Sequence, residues 1–270
     1  MVTTKTSSTG NEHTMPVLFV GHGSPMNAIE KNQYSKGWSR VAATLPVPKA
    51  ILCISAHWLT HGTSVTAMPN PRTIHDFYGF PPELYKVNYA AKGSPATAEM
   101  IQKLINKVSV QLDYAWGLDH GTWSVLQSMY PQANIPVLQL SIDPTIKTSD
   151  HFEIGNTLRI LRKKGVLIIG SGNIVHNLML IKPDATAYPW AIDFDQHIKK
   201  ALEDTDTDTL INYQKIKSSN LAVPTNDHYL PLLYTIGATR GEKLRFFNES
   251  VSMGSMSMRS VIFGNTQDSL

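Results

Sequence analysis

Residues 16–20, PVLFV, run directly into GHGSP at 21–25, and residues 166–169, VLII, run directly into GSGN at 170–173. Both are short apolar runs with β-branched content and no polar alternation, the pattern of a strand buried on both faces that ends in a polar loop. AILCI at 50–54 ahead of SAHW, and PVLQL at 136–140 ahead of SID, read the same way. Helical patterns lie between them. Ser94 and Pro95 open one over 94–107, with Met100, Ile101, Leu104, Ile105 and Val108 on one face. A second runs from Ser149 through Ile154, Leu158 and Leu161 to Gly165, a third over about 190–203, and a short buried one over 229–236. This βαβ-like alternation predicts an α/β fold: a single domain with a central, mostly parallel sheet, helices on both faces, and an active site at the carboxyl ends of the strands.

The chain has 270 residues, 42% hydrophobic and 17% charged, enough to bury a large core in one domain. No Gly/Ser-rich or Pro-rich linker divides it. Residues 1–14 lack an apolar run and are expected to be a disordered tail, leaving 15–270 as the catalytic domain. The absence of a secretory or membrane segment, together with a single cysteine, Cys53, points to the cytoplasm. One cysteine cannot build a thiolate cluster, so any metal must be held by histidine and carboxylate. Cys53 itself reads as a small buried hydrophobe. The net charge of +3 is too small for a nucleic-acid-binding surface. The sequence assigns no oligomeric state.

Two of the ten histidines follow strand ends: His22 after 16–20 and His57 after 50–54. His176 lies beyond 166–169, His120 sits in LDHGTW just ahead of an apolar helix start, and His228 sits in NDHYLPLL. A lone histidine is most often a hydrogen-bonded, partly buried residue. Several at the same rim of a sheet suggest a metal site instead.

Taken in order, HGSPM (22–26), SAHW (55–58), IHDFYGFP (74–81), DHGTWSVL (119–126), PVLQLSID (136–143), GSGNIVHNL (170–178) and HYLPLLY (228–234) resemble the DODA-type extradiol dioxygenases. These belong to the class III group that includes the protocatechuate 4,5-dioxygenase catalytic subunit. The resemblance covers about residues 15–263. It implies opening of a catechol such as 3,4-dihydroxyphenylalanine by O2. It also implies His22 and His57 as metal ligands, His228 as the third, His176 as catalytic acid/base that also approaches the metal, and His120 beside bound oxygen. Protocatechuate-type members use a glutamate as third ligand, whereas this chain offers His228 with Asp227 beside it.

Three protein ligands on Fe(II) leave room for a chelating catecholate and for O2, and a neutral histidine with pKa near 6.5 suits proton transfer in both directions. An all-histidine set also suits Zn2+, which has no redox chemistry. The alternatives are a zinc-dependent hydrolase on the same scaffold and a catalytically silent binding protein. His75, Phe77, Tyr78 and Phe80 are expected to line a pocket for a planar ring. His13, His61, His151 and His197 are expected in tail, loop or helix-surface positions, and EDTDTDT (203–209) as a solvated loop. Ser24 and Ser171 lack the GxSxG context of a hydrolase elbow.

Overall fold

A computed structural model describes residues 14–183, 186–239 and 241–266. The tail expected over 1–14 lies, save for Thr14, outside the described residues. In chain order the strands are β1 (Val17–Gly21), β2 (Ala50–Leu59), β3 (Thr63–Thr66), β4 (Val110–Asp113), β5 (Val137–Ile142), β6 (Val166–Gly172), β7 (Leu244–Phe247), β8 (Val251–Ser252), β9 (Met256–Ser257) and β10 (Ser260–Phe263). The helices are α1 (Gln33–Ala43), α2 (Pro95–Leu104), α3 (His120–Met129), α4 (Thr148–Leu158), α5 (Ile160–Lys163), α6 (Pro189–Glu203), α7 (Thr207–Ile211), α8 (Ser219–Ala222) and α9 (Leu230–Gly237).

Eight strands form one sheet in the order β4-β3-β5-β2-β6-β1-β10-β7. Its centre is parallel: β5 pairs with β2, β2 with β6, and β6 with β1. These are the four apolar runs read from the sequence, and their composition explains their central place. Along β1, Val17 and Phe19 point into the core on one face, while Leu18 and Val20 point into the core on the other. Leu52 and Ile54 oppose Ile51 and Cys53 in the same way, as do Val166 and Ile168 against Leu167 and Ile169. A strand apolar at every position has two faces to bury, which helices on both sides satisfy. Each such side chain contributes roughly 1.5–3 kcal/mol on full burial. In β5 the alternation breaks: Gln139 and Ser141 are fully buried but polar, on the face toward α3, and Gln139 bonds Asp119 at that helix's start.

Three expectations change. The single helix expected from Ser149 to Gly165 is two, α4 and α5, meeting at Arg159. Residues 207–211 form α7, because the Asp206 side chain accepts from the Thr209 backbone N–H and caps it. His151, expected at a helix surface, is fully buried on α4, with Nδ1 2.8 Å from the Tyr234 hydroxyl.

Candidate metal centre

Each parallel strand delivers a histidine or its support to the carboxyl rim. His22 directly follows β1, and its backbone N–H is held by the Gly172 carbonyl at 3.1 Å. His57 is near the end of β2, where the register with β5 slips between Ile54 and Leu59. His120 is the first residue of α3, capped by Asp119. His176 follows β6 and bridges to Met256, and His228 precedes α9. Glycines make the approach close enough. A Cβ on Gly172 would lie 2.1 Å from the His228 carbonyl oxygen, and one on Gly121 would lie 2.5 Å from Ser55 Oγ and 2.9 Å from His57 Cδ2.

The rings of His22, His57 and His228 form a nearly equilateral triangle, with centroids 5.0, 5.2 and 5.0 Å apart. The His120 ring is 3.8 Å from His57 and 5.8 Å from His22. His176 lies parallel to His228 at 3.5 Å. The residues predicted as metal-binding or acid/base thus occupy one cluster.

Hydrogen bonds fix how these imidazoles present themselves. Ser171 Oγ donates to the Gly121 carbonyl at 2.5 Å, so it must accept from His22 Nδ1 at 3.0 Å. That leaves His22 Nε2 as a lone pair. His228 Nδ1 bonds the Asp227 carboxylate, and His120 Nδ1 bonds Asp76 Oδ2 at 2.9 Å. Asp76 Oδ1 accepts from the His120 backbone N–H at 2.9 Å, and Oδ2 is also 3.5 Å from His57 Nδ1. Such outer partners hold a metal-binding imidazole in one tautomer and orientation.

The residues fit a metal. The Nε2 atoms of His22 and His57 are 3.1 Å apart, the separation of two nitrogens sharing one ion at about 2.1 Å and a right angle. The Nε2 of His228 is buried and lacks a hydrogen-bond partner. One ligand atom each from His22, His57 and His120 lie within 4.8 Å of one another, so His120, expected only near oxygen, is also within reach of the same ion.

Burial, reinforced by the neighbouring His228 and His120, holds His22 well below the ordinary histidine pKa; burial and His120 do the same to His57. Both are neutral and ready to ligate at neutral pH. His176 is pushed down to about 2 by burial and then by His228, so the expected value near 6.5 does not hold for the free site. Burial alone would raise Asp76, but its bonds from His120 outweigh that and leave it below the usual carboxylate range. For Asp227 burial is likewise outweighed by His228. Asp119 is raised, first by burial and then by Asp76.

The cluster opens into a cavity of about 440 Å³, lined on the other side by Phe77, Tyr78, Phe80, Leu178, Ile181, Met253 and Met256. Phe77 and Phe80 meet edge to face at 5.2 Å. His75 does not line the cavity. Its Nε2 is tied to the Val87 carbonyl at 3.0 Å, and its ring packs behind Phe77, against Trp123. Asp76 was missed in the sequence although it sits in the quoted IHDFYGFP; only its neighbours were read. The lining Met253 and Met256 come from a Ser/Met-rich stretch with no local signal.

Residues 12–264 match the family model described as the catalytic LigB subunit of aromatic ring-opening dioxygenase. The chain is 48% identical over 257 residues to a 4,5-DOPA dioxygenase extradiol of Escherichia coli K12, covering 93% of this chain and 95% of the relative. It is 40% identical over 260 residues to the protein of the same name from Beta vulgaris, covering 92% and 96%. A crystal structure of an uncharacterized Escherichia coli K12 protein superimposes with a TM-score of 0.82 at 44% identity, covering 93% of this chain and all of that one.

Proposed function

This chain belongs to the LigB family of aromatic ring-opening dioxygenases and is a metal-dependent extradiol ring-cleaving enzyme, and from that premise we propose that it opens a small catechol such as 3,4-dihydroxyphenylalanine, with O2, as a single catalytic domain over residues 15–270. The metal is Fe(II), held by His22, His57 and His228. His176, stacked on His228 at 3.5 Å, would be the acid/base and would lie beside the metal, and His120, in the same cavity wall, would orient O2. The observation that supports the ligand set is the buried, partnerless Nε2 of His228, on a ring whose centroid lies 5.2 and 5.0 Å from those of His22 and His57, whose own Nε2 atoms are 3.1 Å apart.

What a bound Fe(II) supplies is electron transfer between a chelated catecholate and O2, a step closed to Zn2+ because its d shell is full. The chain's own groups do the rest. Phe77 and Phe80 hold the ring against the histidine wall, Tyr78 covers the mouth, and His75 backs Phe77. Neutral His176 accepts a catechol proton, because the incoming catecholate charge raises its pKa from the low value that burial imposes. Asp76 and Asp227 keep His120 and His228 oriented. The single buried cysteine agrees with a reducing, cytoplasmic setting. Among the described residues no helix is long and apolar enough to cross a membrane.

The test is incubation of Fe(II)-loaded protein with a catechol panel, following oxygen uptake and a new yellow chromophore. Oxygen uptake at background rate across the panel would overturn the reading. Ester or amide hydrolysis by the zinc form would favour the hydrolase.

A further inference from the structure

Thioether sulfur is concentrated at the metal centre. Residues 253–258, MGSMSM, hold three of the chain's ten methionines. Met253 and Met256 line the cavity into which the five histidines open, and the backbone of Met256 bridges to that of His176. Met258 packs beside the His22 segment: a Cβ on Gly23 would lie 2.5 Å from its Sδ. The three differ in exposure. Met256 and Met258 are buried, at 3% and 1%, whereas Met253 is half-buried. Met253 also has a backbone φ of 48°, in the left-handed region that favours glycine, at the turn between β8 and β9. Its carbonyl accepts from the Lys182 N–H at 3.0 Å, and that of Gly254 accepts from the Tyr188 N–H at 2.9 Å. The turn is thus tied down in a strained conformation that keeps a thioether in the cavity wall.

We propose that Met253 is a modification site at which hydrogen peroxide forms the sulfoxide, and that the sulfoxide closes the cavity to an apolar ring. The sulfur lone pair attacks one peroxide oxygen. An S–O bond forms as the O–O bond breaks, and the second oxygen leaves as water; sulfur loses two electrons and the peroxide gains them. The product is uncharged but strongly polar. Its oxygen needs water or a hydrogen-bond donor in a wall shared with Phe77, Phe80, Leu178 and Ile181, and a ring filling the cavity displaces that water. The cysteine does not compete for the oxidant: Cys53 is buried, and burial pushes its thiol up, away from the reactive thiolate. The source of the peroxide rests on the catechol reading, because each catechol that O2 oxidises to an o-quinone releases one hydrogen peroxide. The site itself does not depend on that source. Methionine sulfoxide reductase with a dithiol returns the thioether, so the modification is a reversible stop on a centre that handles O2.

The experiment treats zinc-loaded protein, whose metal has no redox chemistry of its own, with graded hydrogen peroxide and maps sulfoxides by peptide mass spectrometry. Met253 should oxidise at least about tenfold faster than Met256 and Met258. Met179, 90% exposed, supplies the rate of a free thioether. Affinity for 4-methylcatechol, read by calorimetry, should fall at least about tenfold as Met253 is oxidised, and should return after methionine sulfoxide reductase and a dithiol. Peroxide-treated Met253→Leu should keep the affinity of its own untreated form, whereas Met179→Leu should lose affinity as the wild type does. The proposal is overturned if Met253 oxidises no faster than Met256, if its sulfoxide leaves affinity unchanged, or if Met253→Leu loses affinity as fast as the wild type. An untreated zinc form that binds no 4-methylcatechol would sink the catechol reading instead, and the relative oxidation rates of Met253 and Met256 would still decide the modification site.

Discussion

The imidazole of His176 lies flat on that of His228, with ring centroids 3.5 Å apart and planes 6° from parallel. A proton on His176 is disfavoured by burial and by the His228 ring beside it. On the proposed ligand set His228 is committed to Asp227 and to the metal, which leaves His176 as the ring to exchange a proton. His176→Ala should therefore keep most of the bound metal and lower turnover by roughly 10²–10⁴-fold, the range for a lost acid/base. Metal content and kcat measured on the same preparation decide it; loss of the metal would make His176 a ligand.

The third ligand is distinguished by comparing two variants. His228→Ala should lose the ion, because it removes the buried, partnerless Nε2. His120→Ala should retain it and lose turnover. Elemental analysis after identical reconstitution reads the difference, and the reverse pattern would exchange the two roles.

Activity should require Fe(II) and disappear when zinc occupies the same nitrogens. The zinc form should still bind catechol and should block iron reconstitution until a chelator strips it. Ring opening at a comparable rate by iron-free zinc protein would break the redox argument.

Gly121 is a steric gate on His57. In Gly121→Ala the new methyl would lie 2.5 Å from Ser55 Oγ and 2.9 Å from His57 Cδ2, so one or both of these β2 side chains must shift. The expected result is at least about tenfold weaker metal affinity with a stability cost of about 1–3 kcal/mol. Unchanged affinity by competitive chelation would show that the strand gives way instead of the imidazole.

Acid should weaken the fold through His151, outside the metal site. Burial holds it down at about 4, against the opposing pull of Asp143 and Asp150. The unfolded chain has a value near 6.5, so between these limits it binds more protons than the folded protein, and stability falls as pH drops from about 6.5 toward 4. By pH 5 the loss from this group is about 2 kcal/mol. Denaturant titrations at pH 7 and pH 5 should show a smaller drop in His151→Gln by that amount; an equal drop would remove His151 as the cause.

The central sheet was legible because its strands are apolar at every position, a demand that only two-sided cover meets. The edges were not. β3 and β4 are short and partly polar, and β7 and β10 take their places from antiparallel pairing with distant segments, which no local pattern encodes. The five clustered histidines were visible from their positions after strand ends and in the quoted motifs. Asp76 went unread, and Ser171 was weighed only as a nucleophile, because their roles depend on contacts across the fold: Asp76 reaches His120, 44 residues away, and Ser171 reaches His22, 149 residues away. His151 was misjudged because an isolated histidine on an amphipathic helix gives no hint of a buried tyrosine 83 residues later.

The place of β1, flanked by β6 on one side and β10 on the other, also orders events during synthesis. β1 leaves the ribosome well before either neighbour: one comes from residues 166–172 and the other is β10, Ser260–Phe263. A run of Val, Leu, Phe and Val therefore waits for β6 before it pairs at all, and keeps its other edge open and prone to aggregate until β10 has been made. His22 hangs from the end of that strand, so the nascent chain cannot assemble its full set of histidines. On the proposed ligand set metal loading must wait for His228, and conditions that slow translation between β6 and β10 should reduce soluble yield before they affect the quality of the site.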